Sequence, residues 1–343
     1  MRIPSLKRRP EVAATAVDET RRRVVQAGAA VLASSALPWA SAQAVAPADL
    51  SRATLRVASY KGGWNTLLKA AGLATTPYQI DWKEFNSGVQ HIEAINAGAL
   101  DLGSGSEIPA VFAARTPGRV RVIAVSKGDL NNQAVFAQKE APIKSIADLK
   151  GKRVGYVRAT TTHYFLHKML AEAGLSLQDV QLVSLSPADG LSAFARGDLD
   201  AWAIYGYNGQ LARTKYGARP VKTSLGYLSG NFLIYGNADT QADPVRQAAL
   251  ADLLVRVRKA TAWSVAHPEK WAEAQAAETR VPVDALLALF RARSQDDRIK
   301  AIDDADIVSH QDVADVFSKI GVLDAPVKVS PLWDRTFDKA LRA

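Results

Sequence analysis

The sequence predicts an α/β fold built as two similar lobes, each a mostly parallel sheet flanked by helices. Short β-branched apolar runs alternate with segments of helical periodicity, and this alternation occurs in two successive series. Strands that alternate with helices are typical of parallel sheets with helices on both faces. The C-terminal third shows helical periodicity, so the sequence also predicts a helical C-terminus.

The first series extends from residue 55 to residue 125 and predicts four strands separated by three helices. These elements are strand 55–59, helix 64–71, strand 78–82, helix 89–97, strand 100–102, helix 108–114 and strand 120–125. The pattern is βαβαβαβ, which indicates one parallel sheet.

The second series begins after residues 134–137 and has the same character. Its elements are a short helix 146–149, strand 153–157, helix 162–173, strand 180–185, helix 188–195 and strand 201–205. Segments 131–137 and 231–236 are expected to be two crossings between lobes. We therefore expect lobe 1 to comprise residues 53–128 plus 237–343, and lobe 2 to comprise residues 129–236.

Several helix starts are marked by capping sequences. Three Ser-x-x-Asp segments, beginning at Ser145, Ser186 and Ser309, match the capping box, in which two side chains satisfy N–H groups of the first turn. Asp243 and Pro244 form an N-cap and N1 pair before apolar residues at helical spacing. Each of these four positions predicts the start of a helix.

The first 44 residues resemble a cleaved export signal. Arg21 and Arg22 precede an apolar run, residues 24–37, which is shorter than the roughly 20 residues that a membrane span needs. Small residues follow, so cleavage is expected after Ala42 or Ala44. The paired arginines favour the twin-arginine route, with ordinary Sec export and a retained amphipathic helix as the alternatives.

The charge and the absence of cysteine exclude several classes of function. The net charge is +9 for 343 residues, and the first 44 residues, with seven basic and three acidic side chains, leave +5 for the rest. The longest remaining basic run is at 150–153, too short for binding a phosphate backbone, so nucleic acid is not expected as a partner. Without cysteine, thiolate catalysis and cysteine-ligated zinc are excluded.

Sequence motifs typical of enzymes and of metal sites are missing or incomplete in this chain. Neither G-x-S-x-G nor H-E-x-x-H occurs, and the run 103–108 lacks the third glycine of a dinucleotide motif. His163 and His167 are four residues apart and could share a metal, but no neighbouring carboxylate has a matching offset. Ser104 with His163 is the one nucleophile and base pair that an enzyme could use. We expect neither a metal, nor a cofactor, nor catalysis.

Four turns rich in Ser, Thr and Gly follow predicted strands and precede predicted helices, at 60–64, 86–90, 103–107 and 158–163. In an open α/β sheet, ligands bind outside the carboxyl ends of the strands. Helix N-termini there carry unpaired N–H groups and partial positive charge, which suits an anion. The sequence therefore predicts a polar or anionic ligand between the lobes.

Aromatic residues lie close to the same strand ends. Trp64, Trp202, Tyr205 and Tyr207 could pack against the carbon part of a ligand and offer an N–H or O–H to its head. Packing at the interface between the lobes is the alternative role for these rings.

The motifs in these turns, in their order, resemble the periplasmic substrate-binding proteins of ABC transporters for aliphatic sulfonates, within the nitrate, sulfonate and taurine group. The resemblance covers roughly residues 55–205. Its motifs are Tyr60-Lys-Gly-Gly63, Phe85-x-Ser-Gly-x-Gln90, Glu93-Ala-Ile-Asn-Ala-Gly-x-Leu-Asp101, Gly103-x-Gly-x-x-x-Pro109, Pro142-Ile-Lys-Ser-x-x-Asp-Leu-Lys-Gly-Lys152, His163-Tyr164, Pro187-Ala-Asp189 and Ala193-Phe-x-x-Gly-x-x-Asp-Ala-Trp202.

The resemblance implies a type II periplasmic binding protein, a monomer whose two hinged lobes close on one ligand and then dock on a membrane permease. The ligand residues that it implies are Lys61, Gly63, Trp64, Ser87, Gly88, Gln90, Ser104, Ser106, Thr161, Thr162, His163, Asp189, Trp202 and Tyr205. Arg158 adds a cation beside them.

The chain departs from the family pattern in two places. Family members usually have Thr-Gly-Asp where this chain has 104–107, and Trp-Asp-Pro-Tyr where it has 205–208. The expected ligand is a small organic anion, with an alkanesulfonate first. Nitrate, taurine, a thiamine precursor, an aromatic acid and an enzyme on the same scaffold are the alternatives.

Overall fold

The computed structural model describes residues 49–343. The export signal expected over residues 1–44, with its cleavage site, lies outside the described residues and stays a prediction. Within residues 49–343, no helix is both long enough and apolar enough to cross a membrane.

The described residues form eleven strands. In chain order they are β1 (Thr54–Ser59), β2 (Gln79–Glu84), β3 (Leu102–Ser106), β4 (Val120–Lys127), β5 (Gln133–Ala137), β6 (Arg153–Tyr156), β7 (Gln181–Ser184), β8 (Ala201–Tyr205), β9 (Arg219–Thr223), β10 (Asn231–Asn237) and β11 (Arg298–Lys300).

The same part of the chain forms twelve α-helices and four short 3-10 helices. The α-helices are α1 (Trp64–Ala70), α2 (Gly88–Asn96), α3 (Glu107–Ala113), α4 (Thr161–Glu172), α5 (Pro187–Arg196), α6 (Gly206–Tyr216), α7 (Ala238–Ala242), α8 (Pro244–Ala266), α9 (Pro268–Thr279), α10 (Val283–Arg291), α11 (Asp304–Lys319) and α12 (Asp338–Arg342). The 3-10 helices are Leu50–Arg52, Ile146–Leu149, Leu177–Asp179 and Ser330–Leu332.

The strands form two sheets, and both sheets are mixed. The six-stranded sheet has the order β11-β4-β10-β3-β1-β2, and the five-stranded sheet has the order β7-β6-β8-β5-β9. In the first sheet β1 is parallel to β2 and β3, whereas β10 is antiparallel to both β3 and β4. In the second, β6 is parallel to β7 and β8, and β5 is antiparallel to β8 and β9. The α/β fold with two sheets is confirmed, with more antiparallel pairing than expected.

Helix α8 covers one face of the six-stranded sheet, and its sequence explains why. Asp243 accepts hydrogen bonds from the N–H groups of Val245 and Arg246, and Pro244 is the first helical residue, as predicted. The apolar residues that the helix presents at i, i+3, i+4 and i+7 are buried in the core: Leu250, Leu253, Leu254 and Val257. The opposite face of the sheet packs on a separate cluster from α2, α3 and β4.

Two of the three predicted capping boxes lie at helix starts. Ser145 caps the 3-10 helix that begins at Ile146, and Ser186 caps α5. The prediction at Ser309 is wrong, because α11 begins earlier and Ser309 lies within it. The capping box of α11 is made by Asp303 and Asp306 instead. Each carboxylate accepts a hydrogen bond from the backbone N–H of the other residue.

Two boundaries near the junction of the sheets also differ from expectation. The segment 103–107 was expected to be a turn, but β3 continues to Ser106 because β10 pairs with it along Leu102–Ser106. Glycine and serine are poor strand formers, so this pairing could not be inferred locally. Segment 231–236 was expected within lobe 2, but β10 lies in the six-stranded sheet, so the chain returns to that sheet before Asn231.

Candidate functional site

A pocket lies where the chain passes between the two sheets. One passage joins β4 to β5 and the other joins β9 to β10. The pocket is narrow, with a cavity volume of about 10 Å³, and it opens to solvent. Its lining residues come from both sheets and both passages: Ser106, Glu107, Ile108, Leu130, Gln133, Thr161, Leu228, Ser229, Gly230, Asn231 and Phe232. We call it the junction pocket.

The five-stranded sheet contributes Gln133 and Thr161 to the junction pocket. Thr160 is the N-cap of α4, because its hydroxyl oxygen accepts from the N–H of Thr162, so Thr161 is the first helical residue. The Thr161 hydroxyl donates to Gln133 Oε1 at 2.6 Å, and both side chains are buried. The N–H groups of Thr162 and His163 already donate to Thr160, so the N–H of Thr161 is the first-turn donor of α4 that could serve a ligand.

The six-stranded sheet contributes a wall in which two backbones approach closely. A Cβ added to Gly88, at the start of α2, would lie 3.0 Å from the Cα of Gly105 in β3. The Tyr60 hydroxyl donates to the Ser104 carbonyl oxygen at 3.0 Å. The Tyr235 hydroxyl donates to the Ser106 carbonyl oxygen at 2.6 Å. These contacts hold β3 where it leads into α3 and the pocket.

The phenols in this region stay neutral. Burial raises the pKa of Tyr60 and the pKa of Tyr235 well above the usual value, and burial raises the pKa of Tyr205 to about 12. Tyr205 occupies the N-cap position of α6, at the end of β8. Charge repulsion from the Tyr205 phenol adds to the rise in the pKa of Tyr60.

Glu107 is a buried carboxyl group that sequence reasoning did not select. It is the first residue of α3 and lines the junction pocket. One oxygen accepts from the Ser229 hydroxyl at 2.6 Å, and the other accepts from Asn231 Nδ2 at 3.0 Å. Burial raises the pKa of Glu107. The sequence did contain one signal for Glu107. The family usually has an aspartate in the motif that corresponds to residues 104–107, whereas this chain has a glutamate there.

The predicted ligand residues fall into three groups. Ser106 and Thr161 line the junction pocket. Gly88 and Ser104 belong to the adjacent wall of β3. The others lie elsewhere, either as exposed side chains or as parts of the scaffold around the strand ends.

Four predicted ligand residues have exposed side chains: Lys61, Gln90, Arg158 and Asp189. The two cations expected to offset a ligand charge are in this group, and neither lines the junction pocket. Asp189 accepts a hydrogen bond from the Ser186 hydroxyl at the start of α5, which makes it a capping residue.

Trp202 does not reach the junction pocket. Its side chain is fully buried in the core of the five-stranded sheet, with its ring 5.9 Å from that of Phe194. A Cβ added to Gly190 would lie 2.8 Å from Trp202 Nε1, so the indole packs directly on the backbone of α5. β8 directs this side chain into the core, and a ligand contact by Trp202 stays a prediction.

The hydroxyl of Thr162 and the ring of His163 are also used within the protein. Thr162 Oγ1 accepts from the Val157 N–H and donates to the Val157 carbonyl, at 2.9 and 3.0 Å. The His163 ring lies between Tyr156 and Phe317, with centroid distances of 5.1 and 5.4 Å. Burial, together with the charge of Arg158, lowers the pKa of His163 to about 4, so the ring is neutral near pH 7.

The predicted ligand residues at the starts of α1 and α2 make hydrogen bonds and packing contacts close to the turns in which they lie. The Gly63 N–H donates to the Tyr60 carbonyl at 2.8 Å, and Trp64 packs against the core below α8. Ser87 is the N-cap of α2 and accepts from the N–H of Gln90. A direct ligand contact by these residues stays a prediction.

In the part of the chain from residue 49 onward, no three His, Asp or Glu side chains are arranged to hold a metal ion. The polar groups of the junction pocket are hydroxyls, amides and one carboxyl group, and its apolar lining comes from Ile108, Leu130, Leu228 and Phe232.

Two mixed sheets joined by two passages, with a pocket between them, define the periplasmic binding-protein fold. The chain belongs to the NMT1/THI5-like family, whose model matches residues 78–271.

One relative in Escherichia coli K12, named as a proposed aliphatic sulfonates-binding protein, is 35% identical over 179 residues, or 51% of this chain and 56% of that protein. The chain thus matches about half the length of this relative. Two solved structures are similar over most of the chain. The alkanesulfonate-binding protein SsuA from Xanthomonas axonopodis pv. citri, bound to MOPS, is 24% identical, with a TM-score of 0.75 over 83% of this chain and 99% of that chain. The periplasmic aliphatic sulphonate binding protein SsuA from Escherichia coli is 26% identical, with a TM-score of 0.73 over 82% and 92%.

Proposed function

We propose that this protein is the periplasmic substrate-binding component of an ABC import system, and that it captures a small organic sulfonate for delivery to a membrane permease. The observation that carries the proposal is the junction pocket, in which both sheets place hydrogen-bonding groups around one space. The names of the similar proteins, which bind sulfonates, support the ligand class.

The N-terminus of α4 would bind the sulfonate oxygens. This helix has 12 residues, so the Thr161 N–H combines hydrogen-bond donation with the positive end of a helix dipole. The Thr161 hydroxyl would turn from Gln133 to the ligand, and the Ser106 hydroxyl would add a donor from the six-stranded sheet. A ligand held by both walls stabilises the closed arrangement of the sheets relative to an open one, and this difference in affinity drives closure.

The protein would act as a monomer and release its ligand unchanged. A buried neutral histidine, His163, and a serine on the other wall, Ser104, do not form a hydrogen bond to each other among the described contacts, and His163 is enclosed by aromatic rings. This arrangement offers no positioned nucleophile. We therefore propose binding without turnover.

Calorimetric titration of the purified protein tests the proposal. The ligands are ethanesulfonate, propanesulfonate, taurine, nitrate and sulfate. We expect at least one sulfonate to bind with a dissociation constant of about 1 μM, or about −8 kcal/mol, and to be recovered intact by mass spectrometry. If no sulfonate binds, or if the bound sulfonate is converted to a product, the proposed function is wrong.

The variant Thr161→Val tests whether the sulfonate binds in the junction pocket. The substitution keeps the shape but removes the hydroxyl that bonds Gln133, and we expect sulfonate affinity to fall about tenfold, as for one hydrogen bond to a charged group. Thr75→Val is the matched control, because Thr75 is exposed and lies outside the junction pocket. Equal affinities of the two variants would place the sulfonate elsewhere.

A further inference from the structure

The segment 283–297 is attached at both ends to the part of the molecule that contains the six-stranded sheet, whereas its middle contacts the other part. It consists of α10 and the loop 292–297 that follows. Before it, α9 packs against α1 and α8, and after it β11 pairs with β4. Between these two attachments, α10 packs against α6, the helix that follows β8 of the five-stranded sheet. We call residues 283–297 the strap.

The contact between α10 and α6 is apolar. Leu286 of α10 is buried, and Leu287 and Phe290 pack in the same cluster. From α6, Tyr207 and Leu211 pack against this cluster, and their spacing of four residues places them on one helix face. Burial of apolar side chains from both parts stabilises the described arrangement of the two sheets.

The loop of the strap is hydrogen-bonded to the passage that joins β4 to β5. The Ser294 hydroxyl accepts from the Leu130 N–H at 2.9 Å and donates to Asp129 Oδ1 at 3.0 Å. The Ser294 N–H donates to the same carboxylate oxygen at 2.8 Å. Asn131 Nδ2 donates to the Ala292 carbonyl at 2.7 Å. Leu130 is buried and lines the junction pocket, so the strap holds a part of the backbone that forms the pocket.

The same network includes the passage that joins β9 to β10. Gln295 Nε2 donates to the Gly128 carbonyl at 2.7 Å, and the Gly128 N–H donates to the Gly230 carbonyl at 3.0 Å. The Ser224 hydroxyl donates to the Leu130 carbonyl at 2.8 Å. When two lobes separate, the residues of the connecting passages take up the backbone rotation. The strap is therefore bonded to the residues whose rotation would separate the sheets.

A sulfonate can enter the junction pocket only when the sheets move apart. The cavity of about 10 Å³ has room for about one water molecule, whereas a sulfonate group contains a sulfur atom and three oxygen atoms. Movement of the sheets away from each other would separate α6 from α10 and strain the hydrogen bonds of Ser294. The contacts of the strap thus oppose the movement that a ligand requires.

We propose that the strap regulates the exchange of the sulfonate, because it holds the two sheets together both in the empty and in the bound protein. This inference rests on the proposed function and adds a control element to the same site. In the empty protein, the strap lowers the fraction of open molecules, so it slows association. The bound protein is closed for a larger share of the time, so the strap slows dissociation more than association and increases affinity.

Ser294→Ala removes the hydroxyl that joins the strap to the first passage, and the Leu130 N–H loses its acceptor. We expect association to become about threefold faster and dissociation about tenfold faster, so that affinity falls about threefold, as for the loss of a buried hydrogen bond. Stopped-flow fluorescence measures both rate constants with ethanesulfonate or propanesulfonate, whichever binds more tightly. A general loss of stability would not accelerate association.

A second variant and a control accompany Ser294→Ala. Leu211→Ala weakens the apolar contact from the side of α6, and we expect both rate constants to change in the same direction. Ser192→Ala is the control. Ser192 is exposed, its hydroxyl donates to the Ala188 carbonyl within α5, and it belongs neither to the strap nor to a passage. Its rate constants should equal those of the unsubstituted protein.

A distance measurement tests the strap without any ligand. The chain has no cysteine, so Thr75→Cys and Glu140→Cys introduce two unique sites for spin labels at exposed positions. Thr75 precedes β2 of the six-stranded sheet, and Glu140 follows β5 of the five-stranded sheet. In the doubly labelled protein, Ser294→Ala should increase the share of molecules at a second, open distance, as measured by double electron–electron resonance.

The two proposals fail differently. If Ser294→Ala leaves the distance distribution and both rate constants unchanged, or if it slows association, the strap does not regulate exchange and the proposed function stands. If no sulfonate binds to the unsubstituted protein, the proposed function is wrong, and the distance measurement then decides whether the strap holds the sheets together.

Discussion

At the level of single residues, the part of β3 next to the junction pocket is packed with no free volume around it. Gly88 and Gly105 approach so closely that neither position accommodates a side chain without movement. The Tyr60 and Tyr235 hydroxyls bond carbonyl oxygens of β3 on the same wall. The geometry of this wall is therefore sensitive to very small changes in side-chain volume.

Gly88→Val should abolish ligand binding. The new Cβ would lie 3.0 Å from the Gly105 Cα and 3.4 Å from the Tyr60 hydroxyl, so β3 and α2 would have to separate. Overpacking of this kind costs about 1–3 kcal/mol of stability. The measurements are calorimetric titration with the tightest sulfonate and urea unfolding.

Gly151→Ala serves as the control for that prediction. Gly151 has φ +70°, and a Cβ added there would meet no atom within 4 Å, so alanine costs about 1 kcal/mol through backbone strain alone. We expect its ligand affinity to be unchanged. Normal binding by Gly88→Val would show that this wall does not shape the ligand site.

At the level of secondary-structure elements, the helix starts carry both stability and function. The cap of α4 positions Thr161 in the pocket, whereas the cap of α8 only secures the core. Both use a short polar side chain that accepts from first-turn N–H groups. The two helix starts differ in their surroundings, because α4 begins at the junction pocket and α8 does not.

Asp243→Ala should lower the free energy of unfolding by about 1 kcal/mol, because the N–H groups of Val245 and Arg246 lose their acceptor. Urea unfolding measures the loss, and sulfonate affinity should not change. Asp324→Ala is the comparison: its carboxylate pairs with Arg115 at 2.7 Å but is 81% exposed, so about 0.5 kcal/mol or less is expected. Equal losses in the two variants would argue against a capping role.

At the level of the whole molecule, α4 from the five-stranded sheet packs against α11 from the C-terminal third. Ile108, Tyr164 and Phe317 share one buried cluster across this contact. At its edge, Asp312 accepts from the Tyr164 hydroxyl at 2.9 Å, and the Lys168 ammonium lies 3.4 Å from the same carboxylate. These contacts link the two parts that would move when a ligand enters or leaves.

Asp312→Ala should weaken sulfonate binding two- to fivefold, because removing exposed contacts worth up to about 1 kcal/mol lowers the population of the closed arrangement. Titration measures the affinity, and small-angle scattering without ligand should show a larger radius of gyration. Asp315→Ala on the same helix is the control, since within residues 49–343 the Asp315 carboxylate bonds Gln311 alone. Unchanged scattering and affinity would show that this contact does not influence closure.

Local sequence was sufficient to predict most of the elements and their capping. The strand 201–205 and the start of α8 at Pro244 were located correctly, because apolar periodicity and N-cap chemistry act within a few residues. Two of the four polar turns contain residues that line the pocket, Ser106 and Thr161, whereas the turns 60–64 and 86–90 contribute none.

Long-range packing, in contrast, selects which of these residues face the pocket. Trp202 lies in the core because β8 is covered by α5, and β3 extends through glycine and serine because β10 pairs with it. Glu107, Ser229 and Asn231 meet across more than a hundred residues of chain. Sequence could not predict these contacts, because pairing and burial between distant segments leave no periodic signal in either segment.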